Sequence, residues 1–119
     1  MKKKQLLFVL QHAPLGGSLA RAGIDTVLAY AAFDQPVSVL FSGAGVLQLA
    51  PDADCQRLGR RDLRRIIESM PLYDVEAVFA DAAALSAYGL SNGLPPFVEQ
   101  VDNNAIRALH ERCDHILSF

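Results

Sequence analysis

The segment PVSVLFSGAGVLQLA, residues 36–50, limits the possible folds more than any other part of the chain. It opens with an apolar, β-branched run at residues 37–41 and breaks at Ser42-Gly43-Ala44-Gly45. A short apolar stretch, residues 46–49, follows before Pro51. A run of that length between turn residues is a strand buried on both faces, the kind found in a parallel sheet. The glycines let the backbone leave the sheet tightly and approach another segment closely.

The flanking sequence supplies what such a strand needs. Residues 5–11 carry the run Leu6-Leu7-Phe8-Val9-Leu10, a first strand. Pro14 and Gly16-Gly17 mark a turn, and Ser18 is an N-cap for a helix. In that helix Ala20, Gly23, Ile24, Val27, Leu28 and Ala31 recur at helical spacing. Asp34-Gln35-Pro36 closes it. A second helix is expected from about Arg57 to Met70, with Leu63, Ile66, Ile67 and Met70 on one face and Pro71 as its stop. Residues 75–80 form a third strand. Asp81 caps a short helix that runs to Tyr88 and closes at Gly89. Asn92-Gly93 and Pro95-Pro96 make a loop, residues 97–101 a fourth strand, Asp102 another cap, and residues 115–119 a fifth strand.

The alternation β-α-β-α-β-α-β-α-β, without repeat or linker, predicts a single three-layer α/β domain over residues 1–119. Its five-stranded sheet is mainly parallel, with the first strand expected centrally. The apolar fraction of 51% and the mean hydropathy of +0.20 exceed what a domain of 119 residues needs for its own core. The longest apolar run, residues 27–33, falls far short of the roughly 20 residues that span a membrane. A permanent subunit interface is the expected destination of the excess.

The formal net charge of −2 makes no case for a nucleic-acid binder. Lys2-Lys3-Lys4 precedes an apolar stretch that ends at Leu10 with no small-residue cleavage pattern, so no secretory leader is expected. The two cysteines, Cys55 and Cys113, have neither C-x-x-C nor metal spacing. They fit a reduced cytoplasmic chain, with no metal and no cofactor expected.

In parallel α/β sheets, chemistry gathers beyond the carboxyl ends of the strands. The candidates there are few. Gly16-Gly17-Ser18 is either a plain tight turn or an anion cradle of backbone N–H groups, as in a small flavodoxin-like binding module. Gly43-Ala44-Gly45 lacks the third glycine and acidic partner of a dinucleotide fingerprint. His12 is a general base or a polar rim or interface residue. Asp81 is an acid–base group or a helix cap. Cys55 lies in a polar loop near Arg57, which favours a thiolate, and makes a sulfurtransferase carrying persulfide on Cys55 an alternative reading. Cys113 is a small core residue at a helix end, expected to be buried.

The helix expected at 57–70 is rich in arginine. Arg57, Arg60, Arg61, Arg64 and Arg65 include like charges at i, i+4, each pair costing about 0.2–0.5 kcal/mol in an isolated helix. The face is either simply solvated or a docking surface, made of Arg60, Arg61, Arg64 and Arg65, for an acidic protein or RNA phosphates.

The pattern strand, Gly-x-Gly-Val, x-Gln-Leu at residues 37–49 resembles that of the TusC/DsrF family of sulfur relay subunits. The likeness extends in order to Pro14, Gly16 and Gly17, to Leu72-Tyr73-Asp74, to residues 82–89, and to the closing Cys113-Asp114-His115-Ile116-Leu117-Ser118-Phe119. The resemblance implies a DsrE/F-like fold and a cytoplasmic heterohexamer with TusB-like and TusD-like (DsrH/DsrE-like) homologous subunits. That complex relays persulfide sulfur toward 2-thiolation of a tRNA wobble uridine, or serves sulfur oxidation, with a downstream relay protein and tRNA reached only indirectly. In the related DsrE/TusD subunit the sulfur-carrying cysteine sits just past a strand, ahead of a short helix, and the nearest matching position here is Asp81. A carboxylate cannot carry a persulfide. The resemblance therefore implies an accessory subunit of a sulfurtransferase complex, with no catalytic residue of its own.

Overall fold

The computed structural model describes residues 4–13, 19–50, 61–75 and 77–119, residues 19 and 61–64 by their backbone alone. Strands β1 (Leu6–Leu10), β2 (Val37–Phe41), β3 (Ala77–Asp81), β4 (Val98–Val101) and β5 (His115–Ser118) form one sheet in the order β4-β3-β2-β1-β5. Every neighbouring pair is parallel. The middle strand is β2, with β1 beside it, so the first strand is interior without being central. All five residues of β1 and of β2 are buried, as their unbroken apolar runs require.

Helices α1 (Leu19–Ala32), α2 (Arg61–Glu68), α3 (Ala82–Ala87) and α4 (Asn103–Arg112) link the strands. Two 3-10 segments, Gly43–Leu49 and Met70–Tyr73, complete the described elements. On one face of the sheet, Phe8, Leu10, Val39, Phe41, Val78 and Ala80 pack against Ile24 and Val27 of α1, Val46 and Leu49 of the first 3-10 segment, Ile67 of α2 and Leu85 of α3. On the other face, Leu7, Val9, Leu40 and Val101 meet Leu109 of α4, with Phe79, Ile106 and Cys113 partly buried around them.

Glycine lets α1 lie close to the sheet. A Cβ on Gly23 would stand 2.9 Å from Leu10 Cδ2 and 3.0 Å from Phe119 Cβ. Mid-helix glycine costs about 1 kcal/mol against alanine, and the close packing offsets it. The helix ends with Asp34 in the left-handed region at φ 62°, its N–H donating to Ala31 O.

Boundaries move for local reasons. The expected helix at 57–70 appears as α2, and residues 51–60 lie outside the described part. It ends at Glu68, where Ser69 Oγ donates to Ile66 O at 2.6 Å, and Pro71 falls inside the following 3-10 turn. Strand β4 starts at Val98, because Val98 N donates to Pro95 O and holds Phe97 in a turn. Strand β3 starts two residues later than the expected 75 and extends one further, so Asp81 is both its last residue and the cap of α3.

Candidate functional site

The carboxyl edge of the sheet is organised by Leu10, where β1 ends. Its carbonyl oxygen accepts the Ser42 N–H at 3.0 Å, which fixes the point where the chain leaves β2. The 3-10 segment then folds back over β1, and Gly45 lies against Leu10. A Cβ there would sit 2.7 Å from the Leu10 carbonyl carbon, so only glycine allows this approach.

One turn on, Gln48 is carried into the core at 4% exposure. Its Nε2 donates to His12 O at 2.8 Å, tying the 3-10 segment to the chain just past β1. Its Oε1 is buried and has no partner among the described residues. The sequence signal was a glutamine between leucines in an apolar stretch. Its buried role has no further signal in the sequence, because a 3-10 turn cannot be told from an apolar strand by periodicity over so few residues.

Asp81 ends β3 partly buried, and its Oδ1 accepts the Ala83 N–H at 3.0 Å, the N-cap of α3. Asp102 repeats the device after β4, its Oδ1 accepting the Ala105 N–H at 2.8 Å. Both carboxylates are therefore engaged by backbone donors at helix starts. This is the arrangement expected for capping, and it satisfies N–H groups that the helix itself leaves unpaired.

The other sequence candidates are scattered. The His12 side chain is exposed. Cys113 lies between α4 and β5, at the amino edge of the sheet, opposite the edge that Asp81 occupies. It is partly rather than fully buried, because it follows the last turn of α4 at the margin of the smaller core. Gly16 to Ser18, Cys55, Arg57 and Arg60 lie outside the described residues. Arg61 and Arg64 lie on α2, and the Arg65 side chain is exposed there. Among the described residues no group of three His, Cys, Asp or Glu side chains is placed to hold a metal ion. None of their helices is long and apolar enough to cross a membrane.

What the described residues of this edge offer chemically is backbone, capped helix starts and the imidazole of His12. Among its described residues no cysteine is present, and persulfide transfer requires a thiolate.

A second feature escaped the sequence. Between α4 and the edge strand β4 runs a groove of about 290 Å³, lined by Phe79, Val101, Ala105 and Ala108 with Glu99 and Arg112. Its residues come from three separate elements, so no local pattern announces it.

The family model described as the DsrE/DsrF-like family matches residues 4–119. A protein named "Protein TusC homolog" from Pseudomonas aeruginosa is 34% identical over 117 residues, covering 98% of each chain. A second of that name, from Aliivibrio fischeri, is 32% identical over 97% of this chain and 98% of its own. "Protein TusC" of Escherichia coli is 34% identical over 98% and 99%. Among solved structures, the ychN protein of E. coli superposes with a TM-score of 0.83 at 14% identity, covering 98% of this chain and 99% of its own. A conserved protein of unknown function from Bacteroides thetaiotaomicron gives 0.71 at 13%, covering 97% and 95%. At those identities the structural likenesses establish the fold.

Proposed function

The chain belongs to the DsrE/DsrF-like family, and from that premise we propose that it is an accessory subunit of a sulfur relay complex of the TusBCD/DsrEFH type. In this reading it supports persulfide transfer toward 2-thiolation of a tRNA wobble uridine, without carrying the sulfur itself. The relatives named TusC, matched over nearly their whole length, support the pathway. The observation that carries the accessory role is Asp81. It stands where the strand β3 meets a short helix, the position that the family resemblance makes the nearest match to the carrier subunit's cysteine, and its carboxylate accepts the Ala83 N–H as the cap of α3.

The chemistry follows from that substitution. Sulfur transfer needs a thiolate that attacks the terminal sulfur of a donor persulfide, breaks the donor's S–S bond, releases the donor cysteine as a thiolate and is left bearing the persulfide. A carboxylate at this position offers no such nucleophile. The relay cysteine then belongs to a homologous partner, and this chain contributes surface. TusB-like and TusD-like subunits are the partners proposed, in a heterohexamer.

The assembly is tested by co-expressing the chain with two homologous subunits and measuring mass by light scattering. A stable complex containing all three is the expected result. A chain that remains a well-behaved monomer at high concentration and ignores both subunits would refute the proposal.

A further inference from the structure

Three asparagines stand in the chain, Asn92, Asn103 and Asn104, and the fold gives them opposite settings. Asn103 and Asn104 open α4. The peptide nitrogen after Asn104, that of Ala105, donates to Asp102 Oδ1 at 2.8 Å. Helical backbone, with ψ of about −42°, also keeps each of these side-chain carbonyl carbons away from the peptide nitrogen that follows it.

Asn92 lies in the loop between α3 and β4, where Ser91, Asn92 and Gly93 are all exposed. Gln100 Nε2 donates to Ser91 O at 3.0 Å, which engages the carbonyl before Asn92 and leaves the nitrogen after it untouched. Neither the Asn92 side-chain amide nor the Gly93 N–H has a hydrogen-bond partner among the described residues. Gly93 takes φ +80°, in the left-handed region. With no Cβ, it leaves the approach to its own nitrogen open and lets the loop turn about that residue at little cost. An unpaired peptide nitrogen, an unpaired side-chain amide just before it and an exposed glycine are what a backbone attack on asparagine requires.

We propose that Asn92 is a site of spontaneous deamidation through a cyclic imide, a covalent modification with solvent as the only co-reactant. The Gly93 nitrogen loses its proton to hydroxide and attacks Asn92 Cγ. The Cγ–Nδ2 bond breaks, and the amide nitrogen leaves as ammonia. Water then opens the imide. Addition at Cγ breaks its bond to the Gly93 nitrogen and gives aspartate. Addition at the main-chain carbonyl of Asn92 breaks the peptide bond to Gly93, leaves Cγ as the link and gives isoaspartate. Nothing is oxidised or reduced. Either product adds a negative charge to a chain whose formal net charge is already −2. Isoaspartate also lengthens the main chain by a methylene between α3 and β4, and its free α-carboxyl is the substrate of an isoaspartyl carboxyl methyltransferase. The modification goes beyond the relay reading and does not rest on it.

The test is ageing of the full chain, together with its homologous subunits if it needs them, in neutral and in mildly alkaline buffer. Peptide mapping by mass spectrometry follows the gain of about 1 Da at each asparagine, and labelled-methyl transfer by the methyltransferase counts isoaspartate. Asn92 is expected to convert about tenfold or more faster than Asn103 or Asn104, faster still at the higher pH, with isoaspartate in excess. Asn92→Gln should abolish the gain, because the longer side chain would have to close a larger ring. Gly93→Ala should slow it about tenfold, since a Cβ hinders the attack. Asn92→Gln alters only an exposed side chain, so it carries the test if Gly93→Ala does not fold. An Asn92 that stays an amide, conversion no faster than at Asn103 and Asn104, or aspartate formed without isoaspartate would each overturn the proposal.

Discussion

Gly45 lies against the carbonyl oxygen of Leu10, the oxygen that also accepts the Ser42 N–H, so the end of β1 and the exit from β2 are held at one point. Any side chain at residue 45 must force these two segments apart. Gly45→Ala should therefore destabilise the fold by about 3 kcal/mol or more, at the upper end of overpacking costs. Chemical denaturation measures it directly. Gly43→Ala is a useful control, since nothing lies within 4 Å of its would-be Cβ and the penalty there comes from φ +53° alone. A Gly45→Ala loss no larger than the Gly43→Ala loss would mean that the close approach is not required.

Gln48→Glu should make stability pH-dependent. The site is 4% exposed and its acceptor has no partner among the described residues, so burial raises the folded-state pKa of a carboxyl placed there. Protonated, the new carboxyl can still donate to His12 O; ionised, it cannot. A raised folded pKa means that the stability is present below the unfolded value of about 4.3 and lost as pH rises through the folded value. Denaturation midpoints of the variant, compared with wild type, should fall behind steadily from about pH 4 upward. A constant gap across pH would contradict the burial.

Asp81→Ala should cost about 1 kcal/mol, the usual loss for an N-cap, and lower the thermal midpoint accordingly. Sulfur transfer through the assembled complex should be unchanged after correction for folded protein. If transfer collapses while the fold holds, the carboxylate has a chemical role beyond the cap.

Reversing Arg64 and Arg65 to Glu tests the arginine face of α2. If that face docks an acidic relay partner, binding should weaken, and the difference should shrink as salt rises. Equal binding at low salt would return the face to simple solvation.

The parts of the fold that sequence revealed are those dictated locally. The runs at Leu6–Leu10 and Val37–Phe41 are long, apolar and bounded, so strand type and burial could be read directly. Asp81 and Asp102 precede helical stretches and both cap them, as capping chemistry implies. The strand order was not legible, because the position of β2 at the centre depends on which crossovers pack, a property of the whole chain. The sequence shows the segment Gly43–Leu49 as apolar, but neither its 3-10 form nor the hydrogen bond from Gln48 to His12 O follows from so short a pattern. The groove lined by Phe79, Glu99, Val101 and Arg112 joins residues of three separate elements, which no local residue pattern encodes.

The central claim is that this chain takes part in the relay without carrying sulfur, and mass spectrometry of each subunit after labelled-sulfur transfer tests it most directly. The measurement uses the purified complex, once with the wild-type chain and once with Cys55→Ser and Cys113→Ala combined. The account predicts no stoichiometric persulfide on this chain, near-normal transfer in the double variant, and loss of transfer when the partner's own carrier cysteine is removed. A persulfide found stoichiometrically on Cys55, or a relay stopped by Cys55→Ser alone, would contradict it and make this chain a carrier.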